Sequence, residues 1–287
     1  MTETFAAAAR QTGGRLRLQE RVMAICVWTG AIVTFCVLLY IVAYIMFKGI
    51  PYISPSLFAP TYNSENVSLT PALVSTAIIT FFSLFIAVPF GVFSAVYLTE
   101  YAKRGNRAVS VVRITTETLA GIPSIVYGLF GMLFFVTFLG WGFSVLSGAF
   151  TLSIMILPLI MRSSEEALKA VPDTLREGAF GLGAGKLRVV FRVVLPSAMP
   201  GIAAGIMLAI GRIVGESAAL IYTAGTVAQI PVSPMESART MSVHMFALSS
   251  EGLHIGEGYA TAVVLLILVV LINITAAKIA KKIGGNR

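Results

Sequence analysis

The sequence is poor in charged residues. Asp, Glu, Lys and Arg make up 12% of its 287 residues, hydrophobic residues make up 57%, and the mean hydropathy is +0.88. A soluble globular protein carries about 25% charged residues. The low charge therefore excludes an ordinary soluble domain and indicates a protein with several membrane spans.

Residues that commonly build enzyme and metal sites are also scarce. The two cysteines, Cys26 and Cys36, lie ten residues apart in one apolar run, which on a helix is about 15 Å and too far for a disulfide. The two histidines, His244 and His254, have no metal-ligand pattern beside them and are predicted to be loop residues. No GxxxxGK[ST] phosphate loop and no Ser-His-Asp arrangement occurs. We therefore expect a protein that is not an enzyme and that holds no metal or cofactor.

The apolar residues form six runs, each predicted to cross about 30 Å of hydrocarbon. These runs cover residues 22–47, 71–98, 114–139, 143–161, 197–222 and 259–277. In the third run, Gly121, Pro123 and Gly128 predict close packing and a bend, and the glycines of 140–142 predict a tight turn. The predicted fold class is all-α, a polytopic membrane protein with six transmembrane helices.

Basic residues concentrate on one side of these spans. Eighteen of the 21 lysines and arginines fall in four segments that share one side if both termini are cytoplasmic. Cytoplasmic segments of membrane proteins are enriched in lysine and arginine. We therefore predict a multi-pass protein with a cytoplasmic basic arm (1–21) and a cytoplasmic tail. The net charge of +8 is attributed to topology and attraction to membrane lipid, with no role for nucleic acid.

The segment 162–196 is a polar and basic insert between two apolar runs. Asp173 and Glu177 suit the start of a short helix, and Gly183 or Gly185 suits its end. A second segment with apolar and basic residues follows the glycines. The pattern predicts two short helices at an angle, one free to meet a soluble partner and one lying on the membrane surface.

Arg212 and Glu216 are charged residues inside the fifth run. A charge near the middle of a membrane costs at least roughly 2.5 kcal/mol, and a spacing of four residues on a helix allows the two side chains to pair. One interpretation is a neutralised pair that fixes helix packing, beside glycines spaced four residues apart that allow another helix to approach. The other is an anion-handling site, since a guanidinium binds oxyanions through two parallel hydrogen bonds.

Part of the insert follows the pattern Glu, small residue, Ala, three residues, Gly, nine residues, aliphatic residue, one residue, Leu-Pro. The matching residues are Glu177, Gly178, Ala179, Gly183, Val193, Leu195 and Pro196. This pattern resembles the cytoplasmic EAA loop of ABC importer permeases, in which alanine is usual where Gly178 stands. In that family the loop is a coupling helix that docks on the ATPase subunit. The resemblance implies a type I ABC importer permease fold, with 1–70 as an N-terminal region, 71–280 as the transmembrane domain and 281–287 as a tail.

Three further stretches, TLAGIPSIVYGLFG, SGAFTLSIMILPLIMRSSEEALKAVP and GRIVGESAAL, resemble phosphate ABC transporter permeases of the PstA type. The resemblance implies import of inorganic phosphate across a bacterial cytoplasmic (inner) membrane. The implied partners are a second permease subunit, a dimer of ATPase subunits that binds the ATP, and an external phosphate-binding protein. Arg212 and Glu216 are then expected in the substrate path.

Two alternatives stay open on the residues alone. The first is a permease of the same architecture for another oxyanion, such as sulfate or molybdate. The second is a secondary transporter or channel that works without ATP, against which the docking loop argues.

Overall fold

Helices and turns make up the regular structure of the described chain. The computed structural model describes residues 2–103 and 105–284, and the side chains of 20–103 and 105–278. In chain order the helices are α1 (Thr2–Gly49), α2 (Thr70–Val96), α3 (Arg107–Ala120), α4 (Ser124–Gly131), α5 (Val145–Lys169), α6 (Asp173–Gly181), α7 (Lys186–Val189), α8 (Leu195–Val214), α9 (Ala218–Ile221), α10 (Met241–Glu251) and α11 (Ile255–Gly284). Outside the described side chains lie Arg10, Arg15, Arg17, Arg104, Lys281, Lys282 and Arg287, all predicted on the cytoplasmic side.

Five helical segments of the described chain are long and apolar enough to cross a membrane. They are Glu20–Tyr52, Thr70–Tyr101, Val145–Lys169, Lys186–Val214 and Ile255–Lys278. A sixth crossing results if α3 and the helical segment Ser124–Phe138, which are bent by 101° at a short break, count as one broken span. The all-α, six-helix class is confirmed in this form.

The third span predicted over 114–139 is a broken one, and the bend predicted within it is confirmed. The chain leaves helical structure between Gly121, which caps α3, and Pro123, which precedes α4. Proline has no backbone N–H and disfavours helical geometry in the residue before it. A straight helix therefore does not continue through this point.

The prediction of a separate short helix on the membrane surface after Gly185 is wrong. Helix α7, a π-helical turn over Val190–Val194 and α8 form one helix of 29 residues from Lys186 to Val214. Pro196 cannot donate the usual backbone hydrogen bond, and the wider turn just before it allows the helix to pass the proline. At its other end the helix stops at Val214, eight residues before the predicted end at Tyr222.

The core forms where α2, α5 and α8 pack together. Its fully buried side chains include Ile79, Leu152, Ile156 and Ile160. The Ser153 hydroxyl donates a 3.1 Å hydrogen bond to the Ser83 carbonyl, which links α5 to α2. These aliphatic and small polar side chains let the three helices pack closely.

The glycines of α8 differ in how closely neighbouring atoms approach them. A Cβ at Gly201 would lie 2.7 Å from the Ala167 side chain on α5, and one at Gly205 would collide with Ser163. A Cβ at Gly211 would have no neighbour within 4 Å. The close approach predicted for the first glycine pair is therefore confirmed against α5, whereas nothing in the described chain approaches Gly211.

Helix α10 packs beside α2 and α11. His244, predicted as a loop residue, is instead fully buried in this helix. The ring of Tyr62 lies 6.0 Å from the His244 ring, and the Arg239 guanidinium lies 5.5 Å from the Tyr62 ring centre. Burial, and then the nearby Arg239 charge, lower the pKa of His244 to about 4. The histidine is therefore neutral at physiological pH.

The variant Gly128→Ala tests the packing of α4 against α9. A Cβ at this position would lie 2.8 Å from the Cα of Ala219 in α9, a backbone atom that cannot move away alone. We expect Gly128→Ala to destabilise the protein by about 1–3 kcal/mol. The measurement is the thermal unfolding of the purified protein in detergent. Gly30→Ala is the control, because a Cβ at Gly30 meets no atom within 4 Å. Equal melting temperatures for the two variants would contradict the packing.

The buried His244 predicts a loss of stability in acid. The pKa is about 6.5 in the unfolded chain and about 4 in the folded one, so folding favours the neutral ring. Its contribution is complete above pH 6.5, and up to about 3 kcal/mol is lost as the pH falls from 6.5 through 4. In His244→Phe, thermal unfolding should depend less on pH over that window. The control His254→Gln changes a partly exposed histidine beside Glu257 and should keep the wild-type profile. An unchanged profile in His244→Phe would refute the assignment.

Candidate functional site

Arg212 lies in the last turn of α8, near mid-height of the bundle. Helices α5 and α8 run antiparallel, with Gly205 against Ser163. Followed along both helices, this register places Arg212 level with Ile156, about 17 Å along α5 from Val145. Because α5 has 25 residues, that level is close to its midpoint.

The face of α8 that carries Arg212 is uncovered. An adjacent face of the helix buries Ile202, Ala209 and Ile213, whereas Arg212 itself is exposed and Leu208, one turn away, is 63% exposed. A guanidinium facing acyl chains at this depth would be costly. The arrangement therefore requires water or another protein chain on this face.

Glu216 does not pair with Arg212 as the helical spacing predicted. The helix ends at Val214, and the Glu216 carboxylate accepts a 3.1 Å hydrogen bond from the Ala219 N–H. The Ser242 hydroxyl of α10 donates to the Glu216 carbonyl. Among the described side chains, Arg212 forms no ion pair within 4 Å. The interpretation as a neutralised pair within one helix is therefore wrong, and the guanidinium remains available to a ligand.

The first helix break lies beside the same site. Gly128 of α4 lies against the backbone of Ala219 in α9, just after the end of α8, and the Tyr127 hydroxyl of α4 donates a 2.8 Å hydrogen bond to the Leu119 carbonyl at the end of α3. The two interrupted helical regions thus meet near Arg212. No sequence motif pointed to this contact.

The predicted docking helix forms as α6, and a left-handed glycine ends it. Gly183 has φ +79°, whereas Gly185 has φ −71° and instead caps the start of α7. The Gly183 N–H donates to the Phe180 carbonyl and the Ala184 N–H to the Ala179 carbonyl. This pair of bonds is a Schellman motif, which turns the chain sharply between α6 and α7.

The surface around α6 is both apolar and uncovered. Leu175, Phe180 and Leu187 are exposed, and Leu182 is 91% exposed. Glu177 and Gly178 are exposed on the helix, whereas Ala179 is half-buried against the chain's own core. The last motif residues, Val193, Leu195 and Pro196, are half-buried where α7 passes into α8. An apolar surface of this kind suits a protein partner.

Arg176 is a functional candidate that the sequence did not single out. Its guanidinium donates five hydrogen bonds: two to Glu100 Oε1, and one each to Asp173 Oδ1 and the carbonyls of Leu168 and Val171. The side chains of Arg176 and Glu100 are 13% and 10% exposed. One residue therefore fastens α6 to the ends of α2 and α5. The available signal was its position directly before Glu177, but Glu100 is 76 residues away in the chain.

Metal-binding chemistry has no counterpart in the described residues. No group of three or more His, Cys, Asp or Glu side chains is arranged there to hold a metal ion. The described chain therefore presents two candidate sites, one around Arg212 and one around α6.

Comparison with known proteins shows the family to which the chain belongs. The family described as binding-protein-dependent transport system inner membrane component matches residues 87–284. The probable ABC transporter permease protein YqgI of Bacillus subtilis is 32% identical over 280 residues, covering 89% of this chain and 94% of that protein. The phosphate transport system permease protein PstA of Yersinia pestis is 32% identical over 248 residues, covering 82% and 81%. PstA 1 of Mycobacterium tuberculosis is 36% identical over 197 residues, covering 68% and 64%.

Solved structures share the fold. A chain of a bacterial alginate ABC transporter, in complex with an alginate-bound periplasmic protein, superposes with a TM-score of 0.68 at 16% identity, covering 93% of this chain and 96% of that one. A chain of the inward-facing MetNI methionine ABC transporter gives a TM-score of 0.58 at 23% identity, covering 75% and 94%. At these identities the likeness concerns the fold alone. Together with the family match, it means that the chain belongs to the inner membrane components of binding-protein-dependent transport systems and has the fold of a type I ABC importer permease.

Proposed function

We propose that this chain is a permease subunit of an ATP-driven importer of inorganic phosphate. Relatives named as phosphate permeases support the substrate. The observation that carries the proposal is the position of Arg212, which is exposed at mid-depth on an uncovered face of α8 and has no ion pair among the described side chains. A guanidinium can offer a phosphate two parallel hydrogen bonds, which replace part of its hydration in a narrow path.

The substrate path forms when a second, related permease subunit covers this face of α8. An external phosphate-binding protein delivers phosphate to the outer end of the path. Arg212 meets the phosphate there, and Glu216 holds the turn that follows, through its bond to the Ala219 N–H. The small residues Gly211 and Gly215 leave space beside the guanidinium for the ligand or the second subunit.

Helix α6 couples the chain to ATP hydrolysis. Both chain termini and α6 lie in the cytoplasm, and the exposed apolar surface of α6 docks on one of two ATPase subunits that bind and hydrolyse ATP. The chain itself is non-catalytic and needs no cofactor. When the ATPases close, α6 moves, and Arg176 transmits the movement to α2 and α5. The continuous helix from Lys186 to Val214 connects the same region to Arg212.

Arg212→Ala tests the phosphate site. We expect phosphate uptake to fall at least about 30-fold, because a truncated charge leaves a desolvated oxyanion without its partner. The measurement is uptake of radiolabelled phosphate by proteoliposomes that hold the whole complex. Leu208→Ala, one turn away on the same face, should keep near-normal uptake. Unlabelled sulfate and molybdate should compete poorly with phosphate in the wild type.

Three results would count against this proposal. Normal uptake by Arg212→Ala would refute the role of the guanidinium. Loss of the partner subunits during purification of that variant would assign Arg212 to assembly. Uptake that continues without ATP would refute the coupling to an ATPase.

Arg176→Ala tests the link between α6 and the membrane helices. The change leaves the mostly buried Glu100 without its main partner, which should loosen this joint by about 3 kcal/mol. We expect the ATPase activity to persist while the phosphate imported per ATP falls severalfold. Gly181→Ala is the matched control in α6, since Gly181 lies outside the docking motif and a Cβ there meets no atom within 4 Å, and it should preserve coupling. An unchanged ratio of phosphate to ATP in Arg176→Ala would refute the transmission.

A further inference from the structure

A basic cavity of about 880 Å³ lies at the α6 side of the membrane helices. It opens between the end of α2, the start of α3, the end of α5 and the start of α6. The basic residues in its wall are Lys103, Arg107, Arg113, Lys169 and Arg176. None of them belongs to the motif that matches the docking loop.

Most of these cations already have acidic partners. Arg176 bonds Glu100 and Asp173, which also line the cavity. Arg113 and Lys169 lie 2.6 and 2.7 Å from the same oxygen of Glu165. That leaves two lining residues, Lys103 and Arg107, with no ion pair among the described side chains.

Two polar features add to the unmatched positive charge. Helix α3 begins at Arg107, so the positive end of its dipole lies at the cavity. Thr99 also lines the cavity, and its buried hydroxyl forms no hydrogen bond within the described chain. Cations and a free hydroxyl donor together match the oxygen atoms of a phosphate group.

An apolar groove of about 540 Å³ adjoins the cavity and shares Leu98 with it. It follows α2 from Leu98 to Pro89, a length of about 13 Å. Phe90, Phe93 and Tyr97 expose their rings along it. The groove lies along the membrane-crossing segment Thr70–Tyr101, at a depth where lipid chains surround the protein.

We propose that the cavity and groove together bind one anionic phospholipid of the leaflet on the α6 side. Lys103, Arg107 and Thr99 hold the phosphodiester headgroup, and an acyl chain lies along Phe90 and Phe93. A free phosphate ion would use the cavity but not the groove, and a purely apolar partner would leave the two cations unmatched. The combination of both surfaces selects a lipid, as basic pockets between membrane helices commonly do.

The bound lipid also touches the joint that holds α6. Asp173 and Arg176 line the same cavity, so a headgroup in it lies beside the hydrogen bonds that fasten α6 to α2. Anionic lipid in this site is therefore expected to stabilise the position of α6. This inference depends on the fold and the membrane setting, and it holds whatever substrate the transporter carries.

Photo-cross-linking in nanodiscs tests the proposal. The chain is purified with its partner subunits and reconstituted in phosphatidylcholine that contains a phosphatidylglycerol with a photoactivatable acyl chain. We expect adducts on residues 89–98 and 112. Lys103→Gln and Arg107→Gln should each lower their yield about fivefold. Lys278→Gln, a basic residue elsewhere near the end of α11, should leave the yield unchanged.

Several results would overturn the proposal. Equal labelling by a photoactivatable phosphatidylcholine would mean that the groove holds ordinary surrounding lipid. Loss of the adducts in ~1 mM inorganic phosphate would assign the cavity to a free anion. Cross-links from residues 89–98 to a partner subunit in place of lipid would make the groove a protein interface. Unchanged yields in both Gln variants, with folding verified by size-exclusion chromatography, would remove the charge-based argument.

Discussion

The middle of this protein depends on two helix breaks that pack against each other, one between α3 and α4 and the other between α8 and α9. A backbone group freed at a break within a membrane needs a partner inside the protein. Tyr127 donates to the Leu119 carbonyl at the first break, and Glu216 accepts from the Ala219 N–H at the second. Because Gly128 has no side chain, α4 can approach the backbone of α9 closely. The second break ends α8 just after Arg212, so this packing fixes where the guanidinium sits.

One long helix, Lys186–Val214, connects the docking helix α6 at one end with Arg212 near the other. The helix from Lys186 to Val214 has no interruption except a π-helical turn, and it ends two residues after Arg212. At its other end, the Schellman motif at Gly183 sets the angle between α6 and α7. In the proposed mechanism, a small movement of α6 can therefore reach the substrate path through backbone alone, with Arg176 as a second connection through α2 and α5.

The sequence predicted features that depend on local chemistry. Gly183 ends α6 because glycine tolerates a positive φ, and Gly201 allows α5 to approach because it has no side chain. The positions of Arg212 and of the docking helix followed from the same kind of reasoning. In contrast, the end of α8 at Val214 was missed, because the residues that follow it suit a helix as well as a turn. The partnership of Arg176 with Glu100 was missed because 76 residues separate them and only the fold brings them together.

The count of basic residues overstates the positive charge that this protein offers to partners. Glu165 pairs with both Arg113 and Lys169, Glu166 lies beside Arg162, and Glu100 pairs with Arg176. Those cations determine topology and packing, but their charge is largely used within the chain. The described basic residues without ion pairs at the α6 side are Arg21, Lys103, Arg107, Lys186, Arg188, Arg192 and Lys278.

These free cations fall into separate groups. Lys103 and Arg107 line the cavity next to the lipid-facing groove, whereas Arg188 and Arg192 border the exposed Leu182 beside α6. In the proposed assembly, the same apolar chain can thus present one charged surface to the membrane and another to an ATPase subunit. Pairing within the chain, more than the number of lysines and arginines, decides which surface meets which partner.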